Sequence, residues 1–332
     1  MITRRVFVGA LAATGAGVLT PLCGFAQQQG KVWRVGFLSQ RHMEFVDTDY
    51  YYGPFTEGMR ELGYVVGKNL IIEWRSAEGK NERLAELAAG LVRLRLDVLL
   101  AAGGQASSAA QKATTAIPIV MIYMADPVGL GLVKSLARPG GNSTGLSNIV
   151  TELLPKRLEM LHSMTPKVTR VAVLMSPASA TSNLALHNVQ AAAQKLGVKI
   201  LPFEADTPQG IAEAFAAMAR QNAGVLIVSP NSFFQQQNNQ IVELAAKHRL
   251  PSMGAYAEYA EAGGLMSYGQ NLRENSRRAA TYVDKIFKGA NPGDLPVEQP
   301  MKFDMLINLK TAKALSLTVP PTIMVQATKV IE

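Results

Sequence analysis

The feature that most constrains the fold is an alternation of short apolar, β-rich segments with amphipathic helical stretches, which occurs twice along the chain. In the first half, residues 33–38 and 97–102 are β-rich, and helical patterns follow them. In the second half, residues 171–175 and 225–228 occur in the same setting. Strands that alternate with helices are typical of a parallel sheet with helical crossovers. The sequence therefore predicts an α/β fold.

The two halves also resemble each other in the order of their segments. Residues 62–65 precede a strand, a helix and the apolar segment 97–100, and residues 196–198 precede the same series ending at 225–228. Each repeat spans roughly 120 residues, which is an ordinary domain size. We predict two doubly wound parallel-sheet lobes that face each other across an interlobe ligand cleft, because ligands bind beyond the carboxyl ends of such strands.

The tail of the chain indicates that it crosses between the lobes more than once. A long helix is predicted over residues 273–288, after the second repeat, and no Pro- or Ser-rich linker separates the halves. Lobe 1 is therefore expected to comprise residues 31–148 and about 273–290. Lobe 2 is expected to comprise residues 149–272 and about 291–332.

Residues 1–26 have the pattern of an export signal that is cleaved after about Ala26. Arg4 and Arg5 precede a short Ala/Gly-rich apolar run, and small residues stand at the −3 and −1 positions. The run is short and contains a proline, whereas a permanent membrane span needs about 20 apolar residues, so no stable membrane insertion is expected. The arginine pair resembles a twin-arginine signal, with general secretory export as the alternative. We predict a periplasmic protein whose single cysteine, Cys23, leaves with the signal.

The formal net charge of +8 raises the question of nucleic-acid binding, which the distribution of charge disfavours. Removal of residues 1–26 takes away two arginines and no acid, which leaves +6. The other basic residues are spread along the chain without an aromatic-interleaved run or a recognition-helix pattern. No nucleic-acid partner is expected.

Motifs for phosphate, dinucleotide or metal binding are incomplete. Residues 103–105 lack the Lys and Ser/Thr of a P-loop, and residues 129–131 lack the third glycine of a dinucleotide fingerprint. The four histidines do not have the spacing of metal ligands. We predict no metal, no cofactor and no enzyme activity.

Polar and aromatic residues at predicted strand ends and helix starts offer binding chemistry instead. The ten candidate ligand-binding residues are Ser39, Gln105, Ala106, Tyr123, Asp126, Asn148, Ser176, Asn231, Tyr256 and Tyr268. Hydroxyls, amides and backbone N–H groups at a helix start can hold a carboxylate, and Asp126 can take an ammonium group. The tyrosines can pack against an aromatic or apolar ligand.

Structural roles compete with ligand binding at several of these positions. Asp126 is equally suited to cap a turn before the following proline. Tyr123 and Tyr268 can be core residues, and Ser176 and Asn231 can be helix-start or turn residues. The aromatic run at residues 50–52 can form a cleft rim or pack on itself.

Nine short segments together resemble the ABC transporter substrate-binding protein family that includes tryptophan- and tyrosine-binding proteins. They are residues 60–64 (Arg-Glu-Leu-Gly-Tyr), 97–100, 117–120, 126–128, 138–145 (Arg-Pro-Gly-Gly-Asn-Ser-Thr-Gly), 248–251, 263–269, 295–300 and 307–313. The resemblance spans nearly the whole mature chain.

This resemblance implies a type I periplasmic-binding-protein fold whose lobes close on a small organic solute. The implied partner is an ABC transporter permease, and the implied solute is an aromatic amino acid or a related carboxylate. We expect a monomer. Two alternatives stay open: a ligand-sensing receptor component without transport, and a secreted α/β hydrolase or transferase.

Overall fold

The structure is a computed structural model that describes residues 31–42, 51–177, 179 and 182–332. Val32–Glu332 form one compact unit, which is built on two β-sheets. The predicted signal peptide at residues 1–26 lies outside the described residues, as does Tyr50 of the aromatic run.

The first sheet consists of five parallel strands. They are β1 (Trp33–Ser39), β2 (Leu70–Ser76), β3 (Val98–Ala102), β4 (Ile119–Ala125) and β5 (Ser143–Asn148). Their order in the sheet is β2-β1-β3-β4-β5. The helices that connect them are α1 (Tyr52–Glu61), α2 (Leu84–Val92) and α3 (Gly104–Ala113). This doubly wound order reverses direction between β1 and β3, which is where such folds bind ligands.

Both faces of the first sheet are buried, since successive side chains along a strand point to opposite faces. On β3, Val98 and Leu100 pack on one face in a core that also contains Phe55 of α1. Leu99 and Ala101 pack on the other face with α2 and α3. The almost uninterrupted apolar composition of these strands follows from this double burial.

The second sheet has seven strands. They are β6 (Arg170–Met175), β7 (Lys199–Glu204), β8 (Val225–Val228), β9 (Ser252–Gly254), β10 (Met266–Gln270), β11 (Phe303–Asn308) and β12 (Lys329–Ile331). Their order is β12-β11-β10-β9-β8-β6-β7, and only the β10–β11 pair is antiparallel among these described strands. The helices of this half are α4 (Leu154–Met164), α5 (Ser182–Leu196), α6 (Pro208–Arg220), α7 (Ser232–Gln236), α8 (Asn238–Lys247), α9 (Ala257–Glu261), α11 (Leu309–Ala314) and α12 (Pro321–Met324).

The helix α10 (Leu272–Phe287) follows β10 in sequence but packs on the first sheet. Ala279 and Val283 lie in the same core as Val35 of β1. The approach of α10 to α1 is so close that a Cβ atom at Gly58 would lie 2.8 Å from the carbonyl oxygen of Arg277. Helix α10 therefore packs on the first sheet although it follows most strands of the second sheet in sequence.

The chain continues along the first sheet for some distance beyond α10. Val297 is buried in the core that contains Ile119 of β4. Glu298 forms an isolated parallel bridge with Leu146 of β5. The chain thus passes between the two sheets after β5, before α10 and again beyond Glu298.

The predicted α/β class with two parallel-sheet lobes is confirmed, and most predicted elements are present within two or three residues. Four observed elements were not predicted: β5, α9, α12 and β12. Strand β5 has the sequence Ser-Thr-Gly-Leu-Ser-Asn, which contains neither a β-branched apolar residue nor an aromatic one. The helical pattern of residues 235–249 predicts a single helix, whereas the structure has α8 there, preceded by the separate short helix α7, which ends at Gln236.

Candidate functional site

A cavity of about 420 Å³ lies between the two lobes, where strands of both sheets reach their carboxyl ends. Its volume falls within the range of about 300–1,000 Å³ that is usual for small-molecule sites. The first lobe contributes residues at the ends of β1, β4 and β5 and at the start of α3. The second lobe contributes the connection from β8 to α7 and the residue before α9. The cavity therefore includes the point between β1 and β3 where the first sheet reverses its winding direction.

Six of the ten candidate residues line this cavity: Ser39, Gln105, Tyr123, Asn148, Asn231 and Tyr256. The side chain of Asn148 donates a hydrogen bond from Nδ2 to the carbonyl oxygen of Tyr123 at 2.8 Å. The Oδ1 atom of Asn231 accepts from the backbone N–H of Phe233 at 2.8 Å and so caps α7. Both side chains thus hold the cavity wall in place.

Ala106 does not line the cavity, because α3 begins at Gly104 and turns Ala106 inward. The residues of α3 that line the cavity follow the helical period and are Gly104, Gln105, Ser108, Ala109 and Lys112. Ala106 and Ala110 lie on the opposite face, fully buried in the core between α3 and the first sheet. The side chain of Ala106 is a packing group.

Tyr268 does not line the cavity either, because β10 extends to Gln270 and places Tyr268 within the strand. Its ring packs against the core of the second sheet, 6.0 Å from the ring of Phe303 between centroids. The apolar pattern of residues 265–268 predicts a strand that ends at Tyr268. A strand end misplaced by two residues is enough to turn a core residue into an apparent site residue.

Ser176 and Asp126 lie in turns outside the cavity lining. The carbonyl oxygen of Ser176 accepts hydrogen bonds from the Ser179 N–H at 3.2 Å and from the hydroxyl of Ser182, the first residue of α5, at 2.7 Å. The Oδ1 atom of Asp126 accepts from the Gly129 N–H at 2.8 Å. Both residues adopt the structural roles that the sequence left open.

The cavity is also lined by a buried cation, Arg41, which was not among the candidates. Arg41 stands two residues beyond β1, and its side chain is only 7% exposed. Its Cζ atom lies 4.4 Å from the centroid of the Tyr51 ring, and its Nη1 atom lies 3.7 Å from Oε1 of Glu258 in the second lobe. Burial acts to lower the pKa of Arg41, but the neighbouring Tyr51 and Glu258 raise it overall, so the guanidinium is charged.

Three tyrosines form an aromatic wall beside Arg41. Tyr51, Tyr123 and Tyr256 line the cavity and belong to one apolar cluster. The rings of Tyr51 and Tyr123 meet edge to face, with centroids 5.0 Å apart. The Tyr51 hydroxyl lies 3.5 Å from Oε1 of Gln235, which is a second contact between the lobes. Burial raises the pKa of all three phenols, that of Tyr256 to about 12, so each ring is neutral at physiological pH.

The backbone of β4 is distorted where Tyr123 joins this wall. The register between β4 and β5 shifts between Met121 and Met124, and Tyr123 has a φ of +58°, which is costly for a bulky residue. The hydroxyl of Tyr123 donates to the carbonyl oxygen of Leu272 at 3.0 Å and is hydrogen-bonded to the Ser276 hydroxyl. The bulge thus directs the ring towards α10, where the chain re-enters the first lobe.

Comparison with known proteins identifies the family. The sequence model described as ABC transporter substrate binding protein matches residues 44–331, which is most of the chain. The chain belongs to this family. It is a solute-binding protein of the ABC transporter class, as the resemblance of its short segments implied.

Several relatives of this solute-binding protein are similar along most of their length. A tyrosine-binding protein of Clostridioides difficile (strain R20291) is 25% identical over 263 residues, which cover 79% of this chain and 75% of that protein. A conserved domain protein from Vibrio cholerae has a crystal structure that superposes with a TM-score of 0.84 at 27% identity, covering 90% of this chain and 100% of that one. An ABC domain from Streptococcus pneumoniae in complex with L-Trp has a TM-score of 0.82 at 25% identity, covering 90% and 99%.

One sequence pattern in this solute-binding protein runs against the prediction of no enzyme activity. Residues 141–145 read Gly-Asn-Ser-Thr-Gly, which matches the Gly-X-Ser-X-Gly motif of hydrolase nucleophiles. That motif requires an exposed serine on a tight turn from a strand to a helix. Here Ser143 is the first residue of β5 and is 2% exposed. The local structure is therefore not a nucleophile elbow, and the relatives are substrate-binding proteins rather than enzymes.

Two absences concern the residues that the structure describes. No group of three or more His, Cys, Asp or Glu side chains is placed there to hold a metal ion. In the same part of the chain, none of the helices combines the length and apolar character needed to span a bilayer.

Proposed function

We propose that this solute-binding protein captures an aromatic amino acid or a related carboxylate between its lobes and delivers it to an ABC importer. The observation that carries the proposal is a cavity that combines a tyrosine wall with the buried guanidinium of Arg41. Tyrosine rings suit an aromatic ligand, and a guanidinium suits a carboxylate. The tyrosine and L-Trp ligands in the names of two relatives support the same choice.

The six candidate residues at the cavity have two kinds of role in this proposal. Ser39, Gln105, Asn148 and Asn231 supply polar groups that orient the solute. Tyr123 and Tyr256 supply aromatic surface. A solute that contacts both lobes stabilises their closed arrangement, and a permease can distinguish that surface from the open one.

The packing supports a division of the chain into two lobes. We propose that lobe 1 comprises residues 31–148 and 273–298, and that lobe 2 comprises residues 149–272 and 299–332. The last boundary is later than the predicted position near residue 291. The reason is that Val297 and Glu298 contact β4 and β5 of the first sheet.

The proposal also covers export, the oligomeric state and the release of the solute without a chemical reaction. Residues 1–26 act as a signal peptide that directs the protein to the periplasm, by the twin-arginine or the general secretory route. The mature protein acts as a monomer, uses no cofactor and releases its solute unchanged. A ligand-sensing role would use the same capture step and differs only in the membrane partner.

A ligand screen with a readout for turnover tests the proposal. The mature chain, residues 27–332, is heated with single amino acids and aromatic carboxylates while its unfolding is followed. A solute present at 100 times its Kd stabilises the folded state by about 2.7 kcal/mol. We expect stabilisation by at least one aromatic carboxylate and its recovery unchanged by mass spectrometry. A screen in which no aromatic solute stabilises the protein, or in which the solute is converted, would contradict the proposal.

A further inference from the structure

The cations of the cavity are unequal in burial. Arg41 and Lys112 are the only Lys or Arg side chains that line it, and no Asp or Glu lines it, among the residues that the structure describes. The side chain of Arg41 is 7% exposed, whereas Lys112 is an exposed residue near the end of α3. A buried cation interacts more strongly with an anion than an exposed one, because water screens it less. Arg41 therefore dominates the interaction of this cavity with an anionic group.

The hydrogen-bonding capacity of Arg41 is not used up by the surrounding protein. A guanidinium has five N–H donors, and the Nε and Nη1 atoms of Arg41 have no acceptor in the described part of the chain. Glu258 gives partial charge compensation at 3.7 Å, which is longer than a hydrogen bond. Tyr51 offers a cation–π contact from its ring and an electrostatic contact from its hydroxyl oxygen, but neither supplies an acceptor at hydrogen-bond distance to Nε or Nη1. Buried donors of this kind are costly unless an acceptor is supplied.

A carboxylate supplies the missing acceptor in the required geometry. Its two oxygens accept parallel N–H groups from a guanidinium, and such paired, charge-assisted bonds are among the strongest in proteins. The ten-residue helix α3 begins at the same cavity, and its N-terminus adds a favourable field for negative charge. An ammonium group gains nothing from either feature. The charge and the unpaired donors of the cavity therefore favour one class of ligand group.

We infer that Arg41 anchors the carboxylate of the bound solute, so that this site binds tightly only those solutes that carry a carboxylate group. The inference rests on the proposed function and names the chemical group that the site selects. Loss of the carboxylate leaves a buried guanidinium unpaired, and charged hydrogen bonds of this kind are worth a factor of about 10–100 in affinity. Aromatic character alone is then insufficient for binding.

A thermodynamic cycle in which Arg41 and the carboxylate of the solute are removed separately and together tests whether the two interact. Calorimetry on the mature chain compares L-tryptophan with L-tryptophanamide, L-tyrosine with L-tyrosinamide, and indole-3-acetate with indole-3-acetamide. Each amide keeps the ring and replaces the carboxylate with a neutral amide. In the indole-3-acetate pair, which has no amino group, the carboxylate charge is the one charge that changes. For the wild-type protein we expect the acid of at least one pair to bind about 50-fold more tightly than its amide. For Arg41→Met we expect the acid to bind no better than the amide, with the amide affinity changed by less than about threefold.

Two variants control for charge and for folding. Lys112→Met removes the other cation of the cavity and is expected to keep the preference for the acid. Arg41→Lys keeps the charge but loses the planar fork, so we expect an intermediate preference and a folded protein even where Arg41→Met does not fold. Unfolding of each variant without solute shows whether it is folded.

The outcomes separate this inference from the function on which it rests. Equal binding of acids and amides by the wild-type protein would overturn the role of the carboxylate while leaving aromatic capture intact. If folded Arg41→Met still binds the acid more tightly than the amide, Arg41 is not the residue that anchors the carboxylate. The same conclusion follows if Lys112→Met loses the preference for the acid. If neither acids nor amides bind, the proposed function falls together with the inference.

Discussion

Replacement of Gly145 by alanine tests whether the strand distortion that positions Tyr123 is correctly described. Gly145 lies in β5 opposite Met121 of β4, just before the register shift. Its φ is +131°, and a Cβ atom there would lie 2.1 Å from the carbonyl oxygen of Met121. The obstacle is backbone of a central strand, so a change of side-chain rotamer cannot relieve it.

The expected cost has two parts. The backbone conformation costs an L-amino acid about 1–3 kcal/mol. Overpacking against Met121 adds about 1–3 kcal/mol, because β4 has strands on both sides and has little room to move. Together they give a loss of about 2–6 kcal/mol. This corresponds to about 4–12 °C in Tm at roughly 2 °C per kcal/mol for a chain of this size.

Thermal unfolding followed by circular dichroism measures this loss on the mature chain. Gly141→Ala is the matched control, since a Cβ atom at Gly141 has no heavy atom within 4 Å. We expect the control to change stability by less than about 0.5 kcal/mol. Thermal scans of this kind resolve differences of ~1 °C in Tm. If the Tm of Gly145→Ala lies within ~1 °C of the wild-type value, β4 and β5 do not approach each other as closely as the structure shows. The strand distortion that positions Tyr123 would then be refuted as well.

Three further substitutions have defined outcomes. Tyr123→Phe removes the hydroxyl that binds the start of α10 and should lower stability by about 1–2 kcal/mol; unchanged thermal unfolding would refute this contact. Asp126→Ala removes the cap on the Gly129 N–H and should cost about 1 kcal/mol with solute affinity unchanged by calorimetry, whereas a large loss of affinity would return Asp126 to the site. Arg278→Gln removes the paired contact that lowers the pKa of Glu298 below its usual value of 4.5. The stabilisation that this contact gives the folded state is present above about pH 4.5 and is lost as the pH falls through the lowered pKa of Glu298. The side chains of Arg278 and Glu298 are 46% and 37% exposed, so the stabilisation amounts to less than about 1 kcal/mol. The difference in unfolding free energy between this variant and the wild-type protein should therefore shrink on acidification, and a constant difference would contradict the assignment.

The fold was accessible from the sequence because its dominant signal is local. Apolar strands buried on both faces, such as β3 and β8, stand out against amphipathic helices whatever their partners are. Strand β5 does not, because its residues have weak strand propensity and it is held by its pairing with β4. Tertiary contact decides its structure, and a single sequence does not reveal such contacts.

The site was partly accessible for the same reason. The rule that ligands bind at strand ends found Ser39, Asn148 and Asn231, which line the cavity. The rule failed for Tyr268, where the end of the strand was misplaced. It missed Arg41, although that residue follows Ser39 closely, since an arginine in a loop is usually exposed. Its burial comes from Tyr51 and from Glu258 of the other lobe, which only the folded chain brings together.

A crystal structure of the mature protein with its tightest-binding aromatic carboxylate will show whether a solute is held between the lobes. We predict electron density for the solute inside the 420 Å³ cavity, with its ring against Tyr51, Tyr123 or Tyr256. We also predict its carboxylate within hydrogen-bond distance of Arg41, about 2.7–2.9 Å. A solute bound on the outer surface of one lobe, with the cavity filled only by water, would contradict the account.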